Sequence, residues 1–129
     1  MIDKIKAEII KANRTNAIED LINSNLKLAG YLFLLNEMEA EIHKGYIDAY
    51  TTRKIEEARL FVEGEGTQGN KEKQAIIMSE PYRVIEGKFE TRLAEVKNIR
   101  FSTNSFIDVL TQKISYLRKE YELSKNVIK

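Results

Sequence analysis

The residues that interrupt helices are few in this chain and lie close together. Pro81 is the only proline, and three of the six glycines lie between Gly64 and Gly69. Glycine in a helix interior costs about 1 kcal/mol relative to alanine, and proline costs about 3 kcal/mol. On either side of this cluster, strand-like alternation is scarce and no Asn-Gly or Asp-Gly hairpin turn occurs. The sequence therefore predicts an all-α protein with long helices.

With 129 residues, the chain has the length of a single domain. Away from the glycine cluster, apolar residues recur every three or four positions, which is the spacing of an amphipathic helix. Two long helices are separated only by a loop and one short helix, so we predict an elongated antiparallel hairpin. The predicted segments are two short helices in residues 1–24, a long helix in 25–62, a glycine-rich loop in 63–70, a short helix in 71–79 and a long C-terminal helix in 80–125.

Local signals set the expected boundaries of these segments. Thr15 or Asn16 is expected to cap the second short helix, which would end near residues 23–25. Asn70 is expected to cap the helix in 71–79, and Pro81 falls near the start of the last helix, where its missing N–H costs least. Gly45 leaves open a bend in the long helix.

The residue inventory excludes several kinds of chemistry. There are no cysteines, and His43 is the only histidine, so thiolate metal sites and a di-iron bundle built on two Glu-x-x-His pairs are excluded. Residues 64–69 contain a Gly-x-Gly-x-x-Gly pattern, but no strand is predicted before it and Glu65 would repel a pyrophosphate. We therefore expect no enzyme activity, no metal and no cofactor.

No stretch of the sequence has the pattern of a membrane span or a secretory signal. A run of about 18 apolar residues, which a helix needs to cross a bilayer, does not occur, and residues 1–4 do not begin an apolar signal segment. The absence of cysteine fits a reducing compartment. We expect a soluble protein of the cytoplasm that does not enter a membrane.

A second line of apolar residues runs along the last helix, on a different face from its core stripe. One partner helix in a hairpin covers only one face, so this second line needs another cover. The short N-terminal helices are one candidate. Copies of the chain are the other, and we favour this homo-oligomer, in which the long helices pack side by side. The line consists of Phe101, Val109, Tyr116, Leu123 and Val127.

Five cations flank the glycine-rich loop. In an antiparallel hairpin they gather at one end, where they form a candidate site for the phosphates of a nucleic acid. A ring of subunits would repeat this site and raise its avidity. The alternative is a solvated helix tip neutralised by nearby acids. Phe61, beside the group, either stacks on a base or packs under the loop. The cations are Arg53, Lys54, Arg59, Lys71 and Lys73, and the acids are Glu56, Glu57, Glu63, Glu65 and Glu72.

The order of segments resembles the phage UvsY-type recombination mediators. The resemblance rests on a long helix ending in Glu57-Ala58-Arg59-Leu60, a glycine-bearing loop, a restart at Lys71-Glu72-Lys73 and a long C-terminal helix. It implies small all-α subunits that form a ring, bind single-stranded DNA and load a recombinase onto strands held by single-strand binding protein. Arg59 would contact the DNA backbone. The chain departs from the family at Glu57, where the family has a basic residue.

Two functional hypotheses follow from these features. The first is a non-enzymatic, oligomeric accessory protein for single-stranded DNA, a recombination mediator acting in the cytoplasm of a phage host. The second is a helical protein-interaction module, such as a phage-borne inhibitor or an assembly chaperone. In the second, the contact face is the acidic middle of the long helix, since residues 37–65 contain eight acids and four bases.

Overall fold

The fold consists of helices alone in the part of the chain that is described. The computed structural model describes the backbone of residues 1–128 and the side chains of residues 1–125. Helices make up 92% of the chain, and no strand occurs in this part of it. α2 and α4 pack against each other, so the predicted all-α hairpin of two long helices is confirmed. The helices are α1 (Ile2–Asn13), α2 (Ile18–Glu63), α3 (Gln68–Met78) and α4 (Glu80–Ile128).

Contacts divide the chain into two compact units, and each long helix contributes to both. Unit 1 contains Met1–Glu37 and Lys97–Lys129, and therefore holds α1, the first part of α2 and the last part of α4. Unit 2 contains Met38–Val96, with the rest of α2, all of α3 and the start of α4. Each unit has buried apolar side chains of its own.

The core of unit 1 is organised by a narrow stripe on α2. Leu21, Leu28 and Leu35 recur every seven residues and have no accessible surface. This spacing places them on one side of the helix, about two turns apart. The other helices of the unit add buried side chains to this core. They are Ile5 and Ala12 from α1, and Leu110 and Ile114 from α4.

The predicted second short helix is wrong, because the residues from Ile18 onward belong to α2. Asn23, Ser24 and Asn25 were expected to end a helix, since such side chains compete with the backbone for hydrogen bonds. Here two of them are engaged elsewhere. Ser24 Oγ donates to Glu8 Oε1 of α1 at 2.8 Å, and Asn25 Nδ2 donates to Thr111 Oγ1 of α4 at 3.3 Å. Contacts with α1 and α4 therefore keep this segment helical.

The connection between α1 and α2 is also held by side chains. Thr15 Oγ1 accepts a hydrogen bond from the backbone N–H of Ala17 at 3.1 Å, just before α2 begins. Lys113 of α4 donates from Nζ to the backbone carbonyl of Thr15 at 3.2 Å. Thr15, one of the two capping residues suggested by the sequence, thus lies at the start of the long helix rather than of a short one.

The loop between α2 and α3 is shorter than the predicted 63–70. It covers only residues 64–67, and Gly66 adopts a φ of +100°, a conformation that glycine tolerates without strain. The predicted cap of α3, Asn70, is wrong. Thr67 is the N-cap: its backbone is extended, and its hydroxyl accepts a hydrogen bond from the Asn70 N–H at 3.3 Å. The glycines at 64 and 66 stay outside the helices, whereas Gly69 lies within α3.

In unit 2, α2 and α4 approach each other closely at Gly45. α2 is helical on both sides of this glycine. A Cβ atom added at Gly45 would lie 2.5 Å from Cε1 of Phe89, which is closer than real Cβ contacts come. The glycine therefore makes room for the Phe89 ring of α4. Buried apolar residues of the same unit are Ile42, Ala75, Leu93 and Val96.

Two Gly→Ala substitutions test this contact. At Gly87, where an added Cβ would meet no described atom within 4 Å, we expect the free energy of unfolding to rise by about 0.5–1 kcal/mol. At Gly45 the same change should lower it by about 1 kcal/mol, because overpacking against Phe89 outweighs the gain in helix propensity. Urea unfolding followed by far-ultraviolet circular dichroism measures both. Equal stabilisation at the two positions would show that Gly45 is not needed for packing.

Candidate functional site

The five cations predicted to bind phosphate all lie in unit 2. Arg53, Lys54 and Arg59 are on the last turns of α2, and Lys71 and Lys73 are on α3. The whole unit carries nine Lys or Arg and twelve Asp or Glu side chains. Unit 1 has the opposite excess, with twelve basic and eight acidic side chains. The predicted site is therefore set in the more acidic of the two units.

Arg53 is held by two carboxylates. Its Nε and Nη2 donate to the two oxygens of Glu86 on α4, and its Nη1 donates to Glu57 Oε2 on its own helix at 3.0 Å. The side chains of Arg53 and Glu86 are only 12% and 13% exposed. The hydrogen bond with Glu86 is the main reason that the pKa of Arg53 is raised above its usual value. Arg53 thus links α2 to α4 and presents little of its charge to a ligand.

Glu57 joins a second arginine to this group. Arg83 of α4 donates from Nη2 to Glu57 Oε2 at 3.3 Å. Glu57 is the position at which the chain departs from the recombination-mediator pattern, where a base is expected. Here the acid serves both arginines, so a base at this position would repel them.

Arg59 is also paired, on the surface of α2. Its Nε and Nη2 contact Glu56 at 2.9 and 2.8 Å, and its Nη1 contacts Glu63 at 2.7 Å. These carboxylates, with the Glu56 hydrogen bond as the largest cause, raise the pKa of Arg59. A phosphate would have to compete with two carboxylates for this guanidinium. Glu56, Glu57 and Glu63 thus neutralise the two arginines, as the helix-tip alternative anticipated.

The three lysines of the predicted site differ from the arginines. Lys54, Lys71 and Lys73 form no ion pair with any residue in the described part of the chain. Lys54 Nζ lies 5.7 Å from the centre of the Tyr50 ring, and Arg53 Cζ lies 5.3 Å from the same centre. Both cations contact the ring within the range of a cation–π interaction. Tyr50 was not assigned a role from the sequence, although its spacing of three and four residues from two cations indicates this contact.

A groove lies between the end of α2 and α3 within unit 2. It has a volume of about 500 Å³. Phe61 is half-buried in its wall, so this ring packs between helices instead of standing free as a platform for a base. Polar side chains complete the lining. The apolar lining is Ala58, Phe61, Val62, Ala75 and Ile76, and the polar lining is Lys54, Glu57 and Glu72.

The predicted oligomer face of α4 is exposed in unit 1. Phe101 is 72% exposed, Val109 58%, Tyr116 62% and Leu123 65%. α1 packs elsewhere and leaves all four accessible, so the N-terminal cover considered from the sequence does not occur. A hydrogen bond to Glu120 raises the pKa of Tyr116. Val127, the fifth residue of the predicted line, lies outside the described side chains.

Unit 1 has a second exposed apolar face that the sequence analysis missed. On α2, Leu26, Phe33 and Leu34 are exposed, and the small residues Ala29 and Gly30 lie between them. The other four residues follow Leu26 by three, four, seven and eight positions, and this spacing places all five on one side of the helix. The buried stripe of Leu21, Leu28 and Leu35 lies on the opposite side of the helix, and the sequence analysis followed only the spacing of the core.

Neither a cluster of metal ligands nor a membrane-spanning helix occurs among the described residues. In this part of the chain, no three His, Cys, Asp or Glu side chains lie close enough together to hold a metal ion. None of the described helices combines the length and the apolar character that crossing a bilayer requires.

The pairing of Arg53 gives a stability prediction. Glu86→Gln removes a carboxylate from a mostly buried guanidinium, so we expect the free energy of unfolding to fall by about 1–2 kcal/mol. Glu63→Gln is the matched control. It acts on the exposed Arg59, so the urea midpoint should not change measurably. Because the pKa of Arg53 is raised, its guanidinium loses its proton only in strong alkali. The difference in unfolding free energy between the unmodified chain and Glu86→Gln should therefore persist from neutral pH to about pH 10. Equal effects of the two variants would contradict a linking role for Arg53.

Comparison of the chain with known protein families, with curated proteins and with solved structures gives no significant match.

Proposed function

We propose that the chain is a non-enzymatic helical protein-interaction module that assembles with copies of itself through the outward face of α4. The observation that carries the proposal is the exposure of Phe101, Val109, Tyr116 and Leu123 in a folded unit. Covering an apolar side chain of this size contributes about 1.5–3 kcal/mol, and an aromatic residue buries roughly 150–250 Å². Burying a face that contains two aromatic residues would therefore strongly favour association with a partner.

The pattern of the α4 face favours another copy of the same helix as its cover. Val109, Tyr116 and Leu123 recur every seven residues, which is the repeat that lets two helices pack along a shared seam. On the same face, Ser105 lies between Phe101 and Val109 and Gln112 lies between Val109 and Tyr116, and both are uncharged. Glu120, which accepts a hydrogen bond from Tyr116, is the acid beside this face. Identical helices share this repeat and therefore stay in register over several turns.

The acidic excess of unit 2 supports a protein partner with a basic surface. Unit 2 carries twelve acidic and nine basic side chains, so its net charge, which sets the sign of the field around it, is negative. An assembled set of copies would present several such acidic units and gain avidity for the partner. An inhibitor or an assembly chaperone acting in the cytoplasm works in this way, by holding a partner without chemistry.

A second candidate is the single-stranded DNA accessory function that the UvsY-type resemblance implies. The observation that favours it is that Lys54, Lys71 and Lys73 are not paired with any described acid and flank the loop. Repeated around an oligomer, three lysines for each subunit would form a phosphate-binding track. The partners would then be single-stranded DNA, a recombinase and single-strand binding protein.

Self-assembly through α4 is tested with one substitution and a matched control. We expect Val109→Glu to lower the solution mass, measured by light scattering after size exclusion, because it buries a carboxylate in the contact. Val84→Glu makes the same change on the same helix, at a half-exposed valine in unit 2, and should leave the mass unchanged. A monomeric wild-type chain, or a Val109→Glu variant with wild-type mass, would overturn the α4 assembly.

The DNA candidate is tested with a labelled oligonucleotide at about 50 and 200 mM salt. If it is right, the protein binds at the lower salt and loses affinity by at least tenfold at the higher salt. Changing Lys54, Lys71 and Lys73 together to Gln should abolish binding, whereas changing the exposed Lys44 and Lys88 of the same unit should weaken it little. Absence of binding at the lower salt removes the DNA candidate and leaves the protein-interaction proposal standing.

A further inference from the structure

The exposed side of α2 in unit 1 has an arrangement of its own. We call Leu26, Ala29, Gly30, Phe33 and Leu34 the α2 face. Leu26 is 67% exposed and Phe33 is 63% exposed, and the two small residues lie midway between them. Lys27 is the only charged residue between positions 21 and 36, and it lies at the edge of the face, beside Leu34 seven positions on. The face is therefore apolar, bordered by one cation, and not covered by any described residue.

Gly30 has no role within its own chain that the described contacts explain. It lies in the interior of α2, where glycine weakens a helix relative to alanine. A Cβ added there would meet no described atom within 4 Å, in contrast to Gly45 with its Phe89 neighbour. Neither a turn nor a positive φ requires glycine at this position. The remaining use of a missing side chain is to let another backbone come close.

We propose that the α2 face binds the same face of a second copy, with the two helices antiparallel about a twofold axis between Ala29 and Gly30. In this pairing Ala29 lies against Gly30 of the other copy, and Leu26 lies against its Phe33. Crossing helices are closest at the crossing point and separate on both sides. Small residues at the centre and large residues at the ends fit that shape.

The direction of the pairing follows from the residues next to the face. With the axis between Ala29 and Gly30, Glu37 of one copy lies against Ile22 of the other. A parallel pairing would instead place Glu37 against its own equivalent, and like charges directly opposed disfavour a contact. An antiparallel contact is also isologous, so each copy contributes the same surface and the contact closes as a dimer.

The extent of the α2 face sets the expected strength of this contact. Three large side chains and two small ones cover less than the roughly 800 Å² per partner of a standard interface. The dimer formed by this face alone should therefore be weak and dependent on concentration. The inference deepens the proposed function, because it gives each copy a second self-contact besides the α4 face, and two weak contacts in one assembly reinforce each other.

The first experiment prevents the two α2 helices from approaching closely at Gly30 without destabilising the fold of each chain. Gly30→Leu is compared with Gly87→Leu, and both are made in the Val109→Glu chain, so that only the α2 face is left for assembly. Sedimentation velocity over a range of concentrations should show a reversible dimer in the Val109→Glu chain and in its Gly87→Leu form. Gly30→Leu should weaken this dimer at least tenfold, while its thermal midpoint stays equal to or above that of the Val109→Glu chain.

The second experiment reads the direction of the pairing and uses the absence of native cysteine. Ala29→Cys lies next to the twofold axis and should form a disulfide-linked dimer under mild oxidation. Leu26→Cys alone should not, since the two copies of this residue lie at opposite ends of the contact. A mixture of Leu26→Cys and Phe33→Cys chains should cross-link with each other. Val84→Cys is the control for collision between exposed thiols.

The outcomes separate this inference from the proposed α4 assembly. A Val109→Glu chain that is monomeric at all concentrations, or a Gly30→Leu change that leaves dimerisation unaltered, would overturn the α2 contact. Rapid cross-linking of Leu26→Cys with itself would overturn the antiparallel direction and indicate a parallel pair. The α4 proposal is judged separately, by the mass of Val109→Glu against that of the unmodified chain.

Discussion

The narrow buried stripe of α2 is the constraint from which the surfaces of unit 1 follow. Leu21, Leu28 and Leu35 use a single side of the helix for the core. Because that side is filled by α1 and α4, Leu26, Phe33 and Leu34 on the opposite side of α2 are left exposed. The same reasoning applies to α4, whose Leu110 and Ile114 face the core while the line from Phe101 faces away. A helix that is apolar on two sides needs two partners, and one chain supplies only one of them.

Charge in unit 2 is used first for internal contacts. Arg53 and Arg83 bind carboxylates that belong to α2 or α4, and Arg59 is paired along its own helix. An arginine that is hydrogen-bonded to two carboxylates has already lost bound water and has partners for its N–H groups. The free energy gained when a phosphate binds to it is therefore smaller. Lys54, Lys71 and Lys73 are different, because their flexible stems carry a charge that forms no ion pair with any described residue. Among the five cations near the loop, the two arginines are thus held in ion pairs, and the three lysines are the ones available to a ligand.

The sequence predicts the helices well and their contacts poorly, for identifiable reasons. The scarcity of glycine and proline and the recurrence of apolar residues every three to four positions are local properties, and they suffice to predict the long helices. The start of α2 was missed because Ser24 and Asn25 find partners on α1 and α4, which no local pattern contains. The paired state of Arg53 depends on Glu86, which is 33 positions away. The α2 face was not predicted because the spacing of apolar residues does not show which side of a helix is buried, and the core leucines lie on the opposite side.

The two exposed faces of unit 1 differ in the kind of assembly they favour. A face with a seven-residue repeat, such as that of α4, pairs along several turns and tolerates more than one stoichiometry, since the repeat does not fix the number of helices. The α2 face has small residues at one point only, so it fixes a crossing point and therefore a single partner. A chain with both contacts combines a closed dimer with a seam that can add further copies. In the proposed assembly, the α2 contact would set the building block, and the α4 contact would set how many building blocks present their acidic units together.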